Sequence, residues 1–202
     1  MNAGLTQNNM AKKLIAVTGG IGSGKSTVIN LIREFGYNVL SCDKIVNDIY
    51  VTRKGVRLIK RLFPSAVTGF IKPKIDKKVL TALAFSSPQH HKKLTDAVTP
   101  LVLQEVQRQG KKLDGIVFVE VPLLFECNYQ SEFDDTIVVI RDKQQRIASV
   151  MARSNLSREQ VQERMAKQVD YDTLDLSPFT IIKNDGNVDE LKQTVSALLK
   201  TF

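Results

Sequence analysis

Residues 19–26 read GGIGSGKS: four glycines, a lysine and a serine directly after the apolar run LIAVT. Gly19, Gly24, Lys25 and Ser26 fit the spacing G-x-x-x-x-G-K-S. Glycines let successive backbone N–H groups turn toward one anion without Cβ clashes. A helix beginning at Lys25 aims its positive end at the same point. Lys25 then reaches the β- and γ-phosphates of a nucleoside triphosphate, the amides of Gly20, Ile21, Gly22, Ser23, Gly24 and Thr27 complete the cradle, and the Ser26 hydroxyl holds Mg²⁺. The bland reading is a chance glycine-rich turn capped by serine. A strand pattern before the stretch and a helix pattern after it favour the phosphate site. The guanine-reading pattern N-K-x-D is absent, so adenine nucleotide is favoured.

A second candidate is Asp43, which ends the run NVLSC and precedes a helical pattern. If this run forms the next parallel strand beside the loop, Asp43 sits at the carboxyl edge of the sheet, where open α/β sheets bind ligands. There it could take a proton from an acceptor hydroxyl. It could equally be a plain helix cap. Glu120 closes another apolar run, and a carboxylate so placed needs a partner, either Mg²⁺ or an ion pair. His90 and His91 are adjacent, point to different helix faces and chelate poorly, so both read as surface residues.

The elements that must position these groups are visible as five runs rich in β-branched residues: 14–18, 38–41, 116–121, 136–140 and 179–183. Most are continuously apolar, as in parallel strands buried on both faces. Helical patterns cover 25–35, stopped by Gly36, and 188–201. Alternating strands and helices predict a three-layer α/β domain with a five-stranded parallel sheet. Residues 55–112 are mostly helical in pattern and too long for one crossover, so they read as a helical insertion. Residues 142–170 form a second polar helical segment rich in Arg and Gln. Residues 1–12 read as a disordered lead-in, leaving 13–54 and 113–202 as the nucleotide-binding core.

The 202 residues suit one domain with insertions, and the net charge of +8 draws anions. The basic residues are scattered and no aromatic-basic interleaving occurs, which argues against nucleic acid. Two distant cysteines make neither a disulfide framework nor a zinc pattern, and no segment is apolar enough to span a membrane. A cytoplasmic protein, monomeric or weakly homo-oligomeric, is expected.

Together with the loop, FGYNVLSCD at 35–43, VPLLFE at 121–126, RSNLSREQVQERMAKQ at 153–168 and IKNDG at 182–186 resemble the dephospho-CoA kinase family, in that order and spacing from about Lys13 to the C-terminus. The resemblance implies a P-loop kinase fold and transfer of the ATP γ-phosphate to the ribose 3′-hydroxyl of dephospho-CoA, with Mg²⁺. It implies Asp43 as general base, 55–112 as the CoA-binding domain, and 142–170 as a lid over ATP. Arg153 then reads as a phosphate clamp, while Arg146, seven residues before it on the same predicted helix face, stays open between a clamp and a solvated polar surface. Asn184 falls near the adenine, and Lys77, Thr99, Pro122 and Leu123 fall on the acceptor side. Glu126 reads as structural or substrate-shaping.

The chain departs from the family's usual pattern at several positions. Ser41-Cys42-Asp43 keeps one of two customary carboxylates, and Asn47 and Lys77 stand where arginine is frequent. Thr99 replaces a usual histidine, and Glu120 an aspartate. Arg146 replaces a common glutamine, Ser149 an arginine, and Pro178-Phe179 an Ala-Asp pair. Lys for Arg keeps the charge but loses the bidentate fork. These departures motivate two alternatives: a P-loop kinase with another small hydroxyl acceptor, or an ATP-binding regulatory module with little turnover.

Overall fold

A computed structural model of the chain describes residues 13–202; the expected lead-in at 1–12 lies outside the described residues. In chain order the strands are β1 (Lys13–Thr18), β2 (Asn38–Ser41), β3 (Val67–Thr68), β4 (Lys74–Ile75), β5 (Ile116–Glu120), β6 (Asp135–Ile140) and β7 (Thr180–Lys183). The helices are α1 (Lys25–Glu34), α2 (Cys42–Val51), α3 (Arg53–Leu62), α4 (Lys77–Ala84), α5 (Pro88–Gly110), α6 (Lys143–Ser154), α7 (Arg158–Met165) and α8 (Val188–Leu199). They divide into two compact units: the described residues up to Leu40 with Gly110–Phe202, and Ser41–Gln109.

The first unit is built on a five-stranded parallel sheet ordered β2-β5-β1-β6-β7. β1 is central because Leu14–Thr18 is buried throughout and so needs a neighbour on each side. It pairs in parallel with β5, placing Ile15 opposite Phe118 and Val17 opposite Glu120, and with β6, placing Val17 opposite Ile137. The apolar stripes of α1 (Val28, Ile29, Ile32) and α8 (Leu191, Val195, Leu199) close one core with Ile15, Phe118 and Ile137. Phe118 is fully buried, with Tyr37 meeting it edge-on at 5.5 Å between ring centroids. Burying such a ring contributes on the order of 1.5–3 kcal/mol. Separate clusters join Phe125, Val138 and Tyr171, and join Ile147, Val150 and Val161 with Ile21 of the glycine-rich loop.

Two expectations need correction here. β5, not β2, lies beside β1 on that side, and β2 is the sheet's edge. The burial explains it: β5 is buried from Ile116 to Val119, whereas every residue of β2 is only half-buried. The second difference is the boundary. Residues 41–54, expected in the nucleotide-binding core, group with the helical unit. They do so because α2 and α3 pack against each other and against the β3–β4 hairpin.

That second unit holds α2–α5 around the antiparallel pair β3–β4. Strands of two residues carry no readable period, so the hairpin was invisible in the sequence. Asp76 caps α4, accepting from the backbone N–H groups of Lys78 at 2.9 Å and Val79 at 3.1 Å. α5 runs through Pro100 without ending.

Candidate active site

The loop joining β1 to α1 is held in a shape that only glycine tolerates. Gly22 and Gly24 have φ of 79° and 90°, the left-handed region. A Cβ on Gly24 would strike the side-chain amide of Asn184. That amide donates to the Ser23 carbonyl at 2.8 Å, and Asn184 is buried. Asn184 therefore holds the backbone at the end of the loop, a role the sequence did not suggest. Behind it, Thr27 and Val28 donate to the Gly24 carbonyl at 2.9 and 3.1 Å, starting α1 without a side-chain cap. An uncapped helix N-terminus leaves N–H groups for an anion. Lys25 is half-buried in the first turn, and Ser26 and Thr27 beside it are exposed.

The first half of the loop is held by α6 and the segment after α7. Ile21 N–H donates to Gln168 Oε1 at 2.7 Å. Arg146 is only 5% exposed, and its Nη2 donates to both carboxylate oxygens of Asp172, at 3.1 and 2.9 Å. Next to it, the Tyr171 hydroxyl meets Thr18 Oγ1 at 3.4 Å. Burial pushes the Tyr171 phenol up to about 12; the charge of Glu126 adds to the rise, while the Thr18 contact and Arg146 oppose it. The phenol is thus neutral across the working pH range.

Arg146 and Arg153, expected on one face of one helix, have different surroundings: Arg153 is exposed in the last turn of α6. α7 opens with a capping box, Ser157 accepting from Gln160 N and Gln160 Oε1 accepting from Ser157 N. Asp172 and Tyr171 were missed in the sequence. Their stretch has no periodic pattern, and only the need of a buried arginine for an acid could have pointed to Asp172.

Glu120 ends β5 opposite Val17, and the next residue's N–H donates to the Val17 carbonyl at 3.0 Å. Its carboxylate makes no ion pair among the described residues. Pro122 and Leu123 follow, half-buried. Glu126 is structural on one side, Oε1 accepting from Val169 N–H at 3.1 Å. Among the described residues no three His, Cys, Asp or Glu side chains cluster as a metal site. One hydroxyl (Ser26) and one carboxylate (Glu120) are a donor set suited to Mg²⁺, which keeps most of its shell as water and phosphate oxygens.

Within the second unit, Asp43 lies exposed in the first turn of α2, two residues past β2. Asn47, one turn on, accepts from Lys77 Nζ at 2.5 Å. Both positions depart from the family's usual arginine, and here they bond each other. Thr99 is half-buried on α5. No helix among the described residues is long and apolar enough to cross a membrane.

Comparisons with known proteins agree with this geometry. The family model described as Dephospho-CoA kinase matches residues 13–190. The dephospho-CoA kinase of Thermus thermophilus is 35% identical over 187 residues, which are 92% of this chain and 90% of that protein. A solved structure of a Thermus thermophilus protein superimposes with a TM-score of 0.80 at 34% identity, over 94% of this chain and 97% of that one. The structure of a dephospho-CoA kinase from Campylobacter jejuni does so with a TM-score of 0.65 at 26% identity, over 93% and 95% of the two chains. With a phosphate loop, a parallel kinase-type sheet and a family match over most of its length, the chain belongs to the dephospho-CoA kinase family.

Proposed function

We propose that the protein transfers the γ-phosphate of ATP to the ribose 3′-hydroxyl of dephospho-CoA, giving CoA and ADP. The observation that carries this reading is the family match from 13 to 190, which takes in both the phosphate loop and the helical unit. Lys25 and the amides of residues 20–27 hold the β- and γ-phosphates. Asp43 accepts the proton as the 3′-oxygen attacks phosphorus and the bond to ADP breaks. Arg153, exposed at the end of α6, closes on the transferring group from the lid. Asn184 holds the Ser23 carbonyl of the loop and, by the family resemblance, is assigned to the adenine side. For the acceptor we assign Lys77 and Thr99 of the helical unit and, separately, Pro122 and Leu123 of the sheet unit, as the family resemblance implies.

Ser26 and Glu120 would hold Mg²⁺ when ATP brings it. Bound there, the ion would neutralise negative charge on the phosphates. The protein works in the cytoplasm, as a monomer or weak homo-oligomer.

The test is direct. Purified protein is mixed with ATP, Mg²⁺ and dephospho-CoA, and CoA and ADP are followed by chromatography. Stoichiometric CoA and ADP are expected. ATP binding with no CoA formed would overturn the reading.

A further inference from the structure

The loop is gripped at three successive residues by α6 and the stretch that follows α7. At Gly20 a Cβ would lie 2.8 Å from Arg146 Nη1 and 3.2 Å from the Tyr171 ring. At Ile21 the backbone N–H is taken by Gln168. At Gly22 a Cβ would lie 2.5 Å from the Arg146 carbonyl oxygen and 2.9 Å from Val150 Cγ2. Arg146 therefore touches the loop on both sides of Ile21, by its side chain and by its backbone. The guanidinium is not turned toward open space: it is buried, and Asp172 holds it through Nη2.

We propose that Arg146 is a positioning residue and not a phosphate ligand: paired with Asp172, it braces the Gly20–Gly22 stretch so that the loop amides are set before ATP arrives. The physical case is entropic. A loop with four glycines among eight residues has much backbone freedom to lose. If the protein fold has already removed that freedom, ordering the loop is not charged against nucleotide binding. Arginine suits the role because a planar fork can face a carboxylate with one nitrogen and the Gly20 backbone with the other; lysine has a single nitrogen. The brace rests on the ATP reading above.

The experiment measures the Kd for Mg·ATP by calorimetry, urea unfolding, and kcat and KM for both substrates, in wild type, Arg146→Gln, Asp172→Asn and the double variant. Either single change strips one charge from its partner, while the double change removes both. The expected result is ATP affinity lower by about tenfold or more in Arg146→Gln and still low in the double variant. Stability lost in the singles returns in the double. The KM for dephospho-CoA and kcat at saturating ATP stay within about threefold.

Three results would overturn the brace. ATP affinity could stay within about twofold of wild type in Arg146→Gln. It could recover in the double variant along with stability, as for a merely structural ion pair. Or the loss could fall on kcat with affinity unchanged, as for a clamp on the transition state. If Arg146→Gln does not fold, Asp172→Asn, at a carboxylate whose side chain is 45% exposed, carries the same comparison. A wild type that binds ATP yet makes no CoA sinks the proposed function but leaves the brace to its affinity test. A wild type that binds no ATP overturns both.

Discussion

Asp43 and Tyr171 show two ways in which one ionisable group can matter. Asp43 is exposed and keeps its carboxylate available at the start of α2. Asp43→Asn keeps the size and the helix start but cannot accept a proton. Turnover should fall by about two to four orders of magnitude with ATP affinity spared, checked by steady-state kinetics beside calorimetric titration of ATP. Nearly unchanged turnover would reduce Asp43 to a helix-start residue.

Tyr171 acts by staying neutral. Its phenol, raised to about 12 from 10.0 by burial, adds stability that is fully present below pH 10 and is lost as pH rises through 12. In an alkaline absorbance titration, Tyr171→Phe should remove an ionisation step near pH 12 and flatten the loss of stability above pH 10 relative to wild type. If the variant titrates like wild type, the phenol ionises earlier than its burial implies.

Among the elements, α7 is short and polar, so its ends decide whether it holds. The capping box at Ser157 satisfies two N–H groups that the first turn cannot. Ser157→Ala should lower unfolding free energy by about 1 kcal/mol in urea melts. A loss below about 0.3 kcal/mol would mean that water replaces the cap.

Elements of this kind were the readable part of the sequence. All five sheet strands and α1 follow from apolar runs and stop signals that act over a few neighbours. The loop follows from composition within eight residues. What could not be read depends on residues far apart in the chain. Tyr171 meets Thr18 across 153 positions and Asn184 meets Ser23 across 161. Neither contact leaves a local trace. The order of β2 and β5 depends on which strand is buried on both faces, and β2 is too short to declare itself. The hydrogen bond between Lys77 and Asn47 is equally hidden in the sequence, because each position alone reads only as a lost arginine.

At the scale of the whole molecule, the net charge of +8 acts on two substrates that both carry phosphates. Raising ionic strength from about 0.01 to about 0.15 M shortens the Debye length from about 30 to about 8 Å. KM for ATP and for dephospho-CoA should both rise over that range while kcat holds, as measured by initial rates at fixed Mg²⁺. A rise in neither would mean the charge lies away from the approach to the site. The central place of β1 has a consequence in time as well. Residue 14 pairs with residue 117, and residue 18 with residue 138, while Ser41–Gln109 closes on itself in between. A ribosome delivers β1 first and its partners only after that whole unit has emerged. Leu14–Val17 therefore waits unpaired until residues 116–140 have been made. Pairings of such long range form late and leave the segment open to mispairing meanwhile, so the strand that anchors the phosphate loop is made well before either neighbour that secures it.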